Sequence, residues 1–275
     1  MSADDRRDRF RALHAAEGLF VMPNPWDVGS ARLLASCGFE ALASTSAGLA
    51  WSLGRLDGEV TRDELVAHVA SLADATSLPL NVDSERCFPD DPGGVAETVA
   101  LLAAAGAAGC SIEDYDPATG GIDDVEVAAE RVATAAEAAH RLPDPMVLTG
   151  RAENHLRGVD DLADTIARLI AYRDAGADAV YAPGLTDIDQ IAAVVREVGV
   201  PVNVLALRQG PSVTELASAG VRRASTGSLL AGAAYGALVA GARELLSEGT
   251  SQYAAGGVAR EALDAAFGSG AGPRG

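Results

Sequence analysis

Short apolar runs alternate along the chain with Ala- and Leu-rich segments of helical period, the trace that repeated strand and helix units leave in a sequence. Eight runs read as strands: Leu19 to Met22, Ala41 to Thr45, Leu78 to Asp83, Cys110 to Glu113, Met146 to Gly150, Ala179 to Ala182, Val202 to Leu205 and Arg223 to Thr226. A segment able to form a helix follows each. Four strands are entered through turns of one kind, Cys-Gly-Phe-Glu-Ala, Ala-Gly-Ala-Ala-Gly-Cys, Ala-Gly-Ala-Asp-Ala and Ala-Gly-Val-Arg-Arg, and Gly suits the left-handed cap that ends a helix. Eight such units, with no GxGxxG turn after the first strand, predict an α/β fold of the (β/α)8 TIM-type barrel class rather than a doubly wound sheet. Residues 1–248 are expected to form the barrel and 249–275 a C-terminal helical tail. Its helix is expected to end at Phe267, with residues from Gly268 onward disordered.

The polar residues fall at the ends of the apolar runs. Leu-Pro-Leu-Asn-Val-Asp-Ser-Glu finishes at Asp83 and Glu85, Cys-Ser-Ile-Glu-Asp finishes at Glu113 and Asp114, and Met-Val-Leu-Thr-Gly-Arg brings Arg151. In a barrel the C-terminal strand ends share one face, so Asn24, Ser46, Asp83, Glu85, Glu113, Arg151 and Glu153 are expected to open onto it. Clustered carboxylates offer a hard divalent cation the oxygen ligands it prefers, and an arginine beside them offers a fork for an anionic substrate. Two loops are placed to cover the mouth. Ala47 to Val60 carries Trp51, Arg55 and Asp57, and ends where Thr61 and Glu64 form a capping box; Asp116 to Asp124 is a lid or a solvated connector.

Composition removes several alternatives. All 21 basic residues other than histidine are arginine, which excludes lysine Schiff-base chemistry, pyridoxal phosphate bound through lysine, and a P-loop. A net charge of −18 argues against nucleic acid or an anionic membrane as partner. The first ten residues do not resemble a signal peptide and no apolar run of about 18 residues is apparent, which predicts a cytoplasmic protein. Cys37, Cys87 and Cys110 support neither a disulfide framework nor a zinc knuckle; all three read as buried packing residues, Cys87 being the one near the acids. His14, His68 and His140 fall in helices as surface or packing residues, whereas His155, just after Arg151 and Glu153, is the histidine to test as an acid or base. The apolar helix from Ser228 to Leu246 either packs on a second subunit or is an ordinary eighth barrel helix.

Several of these segments together carry a resemblance: Met-Pro-Asn-Pro-Trp-Asp-Val-Gly-Ser-Ala-Arg, Ser-Ala-Gly-Leu, Gly-Arg-Leu-Asp, Asp-Ser-Glu, Ser-Ile-Glu-Asp and Thr-Gly-Arg-Ala-Glu. In order from Leu19 to Leu238 the chain resembles the isocitrate lyase and phosphoenolpyruvate mutase superfamily, α/β barrels that use Mg2+ on 2-oxo and 2-hydroxy acids and their enolates. The resemblance implies Asp83, Glu85 and Glu113 as metal residues, with Glu85 where a second aspartate is usual, and Asp57 as a loop aspartate near metal and substrate. It implies Arg151 as the arginine that binds substrate carboxylate and steadies enolate charge. Ser46, Ala47, Gly48 and Leu49 resemble the segment whose amides and hydroxyl hold the substrate carboxylate. It also implies a homo-dimer or homo-tetramer.

Departures from that pattern bear on the reaction. Where the lyases carry a Lys-Lys-Cys-Gly-His lid, this chain has Tyr-Asp-Pro-Ala-Thr-Gly-Gly, and the mutase lid with Lys and Asn is likewise missing. Tyr-Ala-Pro-Gly replaces a glutamate after the sixth strand, and Asn-Val-Leu-Ala-Leu-Arg replaces Asn-x-Thr-Glu at the seventh, which leaves Asn203 as a substrate-binding candidate. The expected activity is a Mg2+-dependent (or Mn2+-dependent) carbon–carbon lyase on a small di- or tricarboxylate, with Asp57, Glu153, His155 or Tyr181 handling the proton. Decarboxylation of an oxaloacetate-like acid, C–P chemistry on a phosphonopyruvate-like acid and a non-catalytic ligand-binding barrel are the alternatives.

Overall fold

The structure, a computed structural model, describes residues 3–268. Eight parallel strands form the barrel: β1 (Phe20–Met22), β2 (Leu42–Ala43), β3 (Leu80–Asp83), β4 (Gly109–Glu113), β7 (Val147–Arg151), β8 (Ala179–Tyr181), β9 (Val202–Leu205) and β10 (Arg223–Ser225). The two remaining strands, β5 (Tyr115–Asp116) and β6 (Gly121–Ile122), make a separate antiparallel hairpin. The ladder runs β1-β10-β9-β8-β7-β4-β3-β2, and the seam between β1 and β2 is bridged by the Ala43 amide on the Pro23 carbonyl at 3.1 Å and by Asn24 Nδ2 on the Ser44 carbonyl at 2.7 Å. The expected (β/α)8 TIM-type barrel, with a helical extension, is what the chain forms.

Strand limits moved for identifiable reasons. The third strand starts at Leu80 rather than Leu78, since Pro79 has no N–H for the ladder. The second stops at Ala43, because Thr45 leaves the sheet to cap the helix Ser46–Ser52. The fifth barrel strand, β7, runs on to Arg151, so that side chain stands on a strand end rather than on a loop.

Strand alternation divides the residues between two environments. Val82, Cys110, Leu148, Val180, Val202 and Ala224 face the helices and build the main hydrophobic core. Their neighbours Asn81, Ser111, Thr149, Asn203 and Arg223 face the lumen and are buried there. A second, smaller apolar cluster, including Phe10, Phe20, Met22 and Val147, plugs the opposite end of the barrel. Its plug is the N-terminal helix Ala3–Ala15, whose Phe10 approaches Gly109 so closely that a Cβ there would lie 2.8 Å from the ring. Arg7 holds this helix by donating to the carbonyls of Ala103 at 2.6 Å and Ala107 at 3.1 Å.

His14, on the same helix, sits edge-on to Phe10 and Phe20, with Nδ1 on the Phe10 carbonyl at 2.8 Å and Nε2 on Arg223 at 3.0 Å. Burial and the neighbouring Arg223 cation lower its pKa to about 3. The unfolded chain therefore takes up a proton near pH 6.5 that the folded chain refuses. Stability from the neutral imidazole is complete above that pH and is lost as the pH falls toward 3, by about 2 to 3 kcal/mol at pH 4.5. The check is a comparison of melting at pH 7.5 and 4.5 in wild type and His14→Gln: the variant, lacking the titration, loses correspondingly less on acidification, and parallel losses would refute the assignment.

Two expectations need correction. Cys37 is exposed, at the end of the helix Val28–Ser36, because the chain turns outward there, whereas Cys87 and Cys110 are buried as expected. His140 is at the surface, as expected, 3.0 Å from Asp178. The C-terminal helix, Leu229–Ser247, is long and apolar enough by length and composition to cross a membrane, a feature the sequence reading passed over. It follows β10 directly, carries Arg243 and Glu244 near its end, and buries Ala231 and Gly241 while leaving Leu238 and Leu246 exposed. The final helix, Arg260–Gly268, packs on Val28–Ser36. It runs one residue past Phe267, and the expectation of disorder for the residues after Gly268 lies outside the described residues.

Candidate active site

The segment after β3 holds the left-handed residues other than glycine found among the described residues. Glu85, Cys87 and Phe88 all have left-handed φ, at 49, 59 and 46°, a region that side chains other than glycine seldom occupy. Ser84 holds the bend by donating its hydroxyl to the Ser111 carbonyl at 2.6 Å, and the Glu85 carbonyl accepts the Glu113 amide at 2.9 Å. Strain of this kind persists where surrounding contacts over-determine it, and here it delivers Glu85 to the rim beside Glu113.

Arg151 joins the acids at the mouth. Its Nη1 lies 3.1 Å from Asp83 Oδ1 and 3.2 Å from Glu113 Oε2, and its Nε pairs with Glu153 Oε1. Among the described residues no ion pair uses Nη2. The guanidinium stands 5.4 Å over the Tyr181 ring. Asp83 Oδ2 in turn accepts from the Ser46 amide at 3.0 Å and the Ser46 hydroxyl at 3.1 Å. The ends of β3, β4 and β7 thus meet at one cation.

A second set of buried charges supports that cation from behind. Asp114 accepts the Glu153 amide at 2.9 Å, the Tyr172 hydroxyl at 2.6 Å and Arg168 Nη1 at 3.2 Å. Tyr172 reaches it because Gly150 is bare: a Cβ there would lie 2.7 Å from Tyr172 Cβ. Glu153 is wholly buried between Arg151 and Arg157, 3.3 Å from the latter.

Two cavities open at this face. The lower one, about 160 Å³, descends into the lumen past Asp83, Arg151, Tyr181 and Asn203 to Arg223. The upper one, about 170 Å³, is bounded by Glu85, Glu113, Tyr115 and Arg157, and both share Ser46, Asp57 and Arg151. Asp57 stands on the solvent side of the rim; its carboxyl is raised by burial and by the Asp83 charge, against the pull of a hydrogen bond to Ser46. Tyr181 is raised above its ordinary value, first by burial.

Four predicted residues are placed differently from expectation. The Gly48 amide is taken by the Thr45 hydroxyl at 3.2 Å and the Leu49 amide by the Thr45 carbonyl at 3.0 Å, since both belong to the first turn of Ser46–Ser52. Of that segment only Ser46 and Ala47 line the cavity. Glu153 and His155 line neither cavity. His155 Nδ1 points instead to Asp160 at 3.5 Å, and burial lowers its pKa. The expected lid is the β5–β6 hairpin, clamped at its base by Arg86 on Asp116 at 2.8 Å and Asp123 at 3.2 Å. Sequence reasoning missed Arg223; the signal was an arginine two residues before Ser225, on the lumen side of a strand.

The donor chemistry at the rim fits a hard divalent cation. Asp57, Asp83, Glu85 and Glu113 crowd together, and burial with the Asp83 and Asp57 charges raises Glu85 to about 7, as negative charge awaiting a cation would. Among the described residues no three acids, histidines or cysteines are gathered as a finished ligand set. Arg151 lies between Asp83 and Glu113 and pairs with both.

Comparison with known proteins agrees with this fold. The model of the phosphoenolpyruvate phosphomutase family matches residues 10–246. A presumed lyase/mutase of Burkholderia cenocepacia J2315 superposes with a TM-score of 0.91 at 50% identity, covering 95% of each chain. A 2,3-dimethylmalate lyase superposes with a TM-score of 0.84 at 26% identity over 98% of this chain and 96% of its own. The 2-methylisocitrate lyase of Salmonella typhimurium is 30% identical over 237 residues, 82% of this chain and 79% of that protein. Matched along most of its length by the family model and by these relatives, the chain belongs to the phosphoenolpyruvate mutase and isocitrate lyase superfamily, whose members are lyases and mutases.

Proposed function

We propose that the protein is a Mg2+-dependent carbon–carbon lyase acting on a small 2-oxo or 2-hydroxy di- or tricarboxylate through an enolate. The observation that carries this reading is the contact of Arg151 with Asp83 and Glu113 at the meeting point of two cavities. Asp83, Glu85 and Glu113 would hold the divalent ion, Mg2+ or Mn2+, which when bound supplies Lewis acidity toward the substrate's oxygens. Arg151 Nη2 faces the substrate carboxylate and stabilises charge as it develops on the departing enolate. Asp57, at the rim, takes the hydroxyl proton when the C–C bond breaks, and Tyr181, kept protonated by burial, returns a proton to the enolate carbon. Glu153 and Asp114 orient Arg151 and touch no substrate. A cytoplasmic homo-oligomer packed through the exposed face of Leu229–Ser247 belongs to the same reading.

One observation favours a second reaction. With His155 turned to Asp160 and Glu153 locked behind Arg151, few bases reach the cavity, and decarboxylation of an oxaloacetate-like acid needs none. Proton NMR with Mg2+ on oxaloacetate, 2-methylisocitrate and 2,3-dimethylmalate separates the two. Pyruvate with succinate or propionate identifies the lyase; pyruvate without a second acid identifies the decarboxylase. EDTA is expected to abolish either, and Asp83→Asn to lower the rate by about 10² or more. Turnover indifferent to both treatments would end the metal-assisted reading.

A further inference from the structure

Arg223 is 1% exposed and is charged, yet no carboxylate among the described residues pairs with it. Its three nitrogens each have one neutral partner: Nε donates to Asn203 Oδ1 at 3.1 Å, Nη2 to Thr149 Oγ1 at 2.7 Å, and Nη1 to His14 Nε2 at 3.0 Å. His14 offers no negative charge, since its Nδ1–H is spent on the Phe10 carbonyl and Nε2 is the bare acceptor. A guanidinium has five N–H groups, so the two terminal nitrogens each keep one. Burial lowers its pKa to about 10, which leaves it a cation at neutral pH. A buried ion without a counter-ion is costly, and hydrophobic residues of similar volume generally serve packing better.

The same guanidinium bounds the floor of the lower cavity, which reaches up to Arg151. Between the two arginines the cavity wall sets Asn81, Ser111 and Ser225 among apolar residues such as Met22, Ala43 and Leu205, and its carboxylates, Asp83 and Asp57, stand toward the mouth. Asn81 is 4% exposed and its amide oxygen has no hydrogen-bond partner, a further group waiting for a polar occupant. Arg223 is bonded to Thr149, and Arg151 stands two residues further along β7, so the two arginines mark the deep and the outer level of one cavity.

We propose that Arg223 anchors a second carboxylate, so that the substrate is a small dicarboxylate inserted into the lumen with its reacting end at Arg151. This rests on the reading of Arg151 as the first carboxylate site. Arg223 thereby sets specificity rather than taking part in bond breaking, and it selects against monocarboxylates of equal length.

Titration calorimetry of the protein in Mg2+ tests this with three probes. Oxalate is short and engages Arg151 alone; malate and 2-hydroxybutyrate share a backbone and differ at the remote carboxylate. Wild type is expected to bind malate about 30-fold more tightly than 2-hydroxybutyrate, the worth of one charge-assisted contact. Arg223→Met is expected to erase that preference while leaving oxalate affinity unchanged, and Arg223→Lys to restore part of it. Equal wild-type affinity for malate and 2-hydroxybutyrate, with oxalate bound, overturns the Arg223 assignment alone and needs no variant. Equal weakening of oxalate and malate in Arg223→Met also overturns it. Failure of wild type to bind any of the three overturns the Arg151 reading and this one with it.

Discussion

Arg151→Lys lowers kcat/KM by about 10² to 10³ on whichever acid the wild type turns over. The arginine uses two of its nitrogens to hold Asp83, Glu113 and Glu153, which leaves the third for substrate. Lysine keeps the charge but has a single nitrogen, so the group that binds the acids and the group that meets the substrate cannot both be served. Because the charge is retained, the three carboxylates stay neutralised and the fold survives; Arg151→Met would confound the result by leaving them facing one another. Steady-state kinetics with a melting curve for each variant gives the answer. Activity of Arg151→Lys within about threefold of wild type would remove the arginine from the centre of the mechanism.

The largest stability effect is expected at Asp114. It is 1% exposed, and it is the shared acceptor for the Glu153 amide, the Tyr172 hydroxyl and Arg168. Asp114→Ala strands all three donors in the sheet–helix interface, and breaking a buried charge pair from one side costs about 3 to 5 kcal/mol. For a chain of this size that lowers the melting temperature by about 10 °C. Asp114→Asn, which keeps an acceptor oxygen but not the charge, falls between. Calorimetry of the two variants decides the matter, and a shift under about 2 °C in Asp114→Ala would show the network to be dispensable.

The fold was legible because an apolar run and a segment of helical period recurred in all eight units, and Gly turns marked the entry to four of them. The acidic rim was legible too, since Asp83, Glu113 and Arg151 terminate strands and topology alone puts strand ends together. What the sequence concealed depended on direction rather than position. His155 stands only four residues beyond Arg151, but its ring turns to Asp160. Gly48 and Leu49 sit at the rim, but their amides close a helical turn on Thr45. The left-handed bend at Glu85 has no glycine to announce it. Arg223 was hidden by its own strand, where arginine reads as a surface residue unless the inward register is known.

The division of each strand between a helix-facing and a lumen-facing set has an evolutionary consequence. Val82, Leu148 and Ala224 keep the barrel folded, while Asn81, Asp83, Arg151, Asn203, Arg223 and Ser225 line the space a substrate would enter. Selection for a new acid can rewrite the second set by point changes and leave the first untouched, so relatives can keep one scaffold while drifting apart in what they consume.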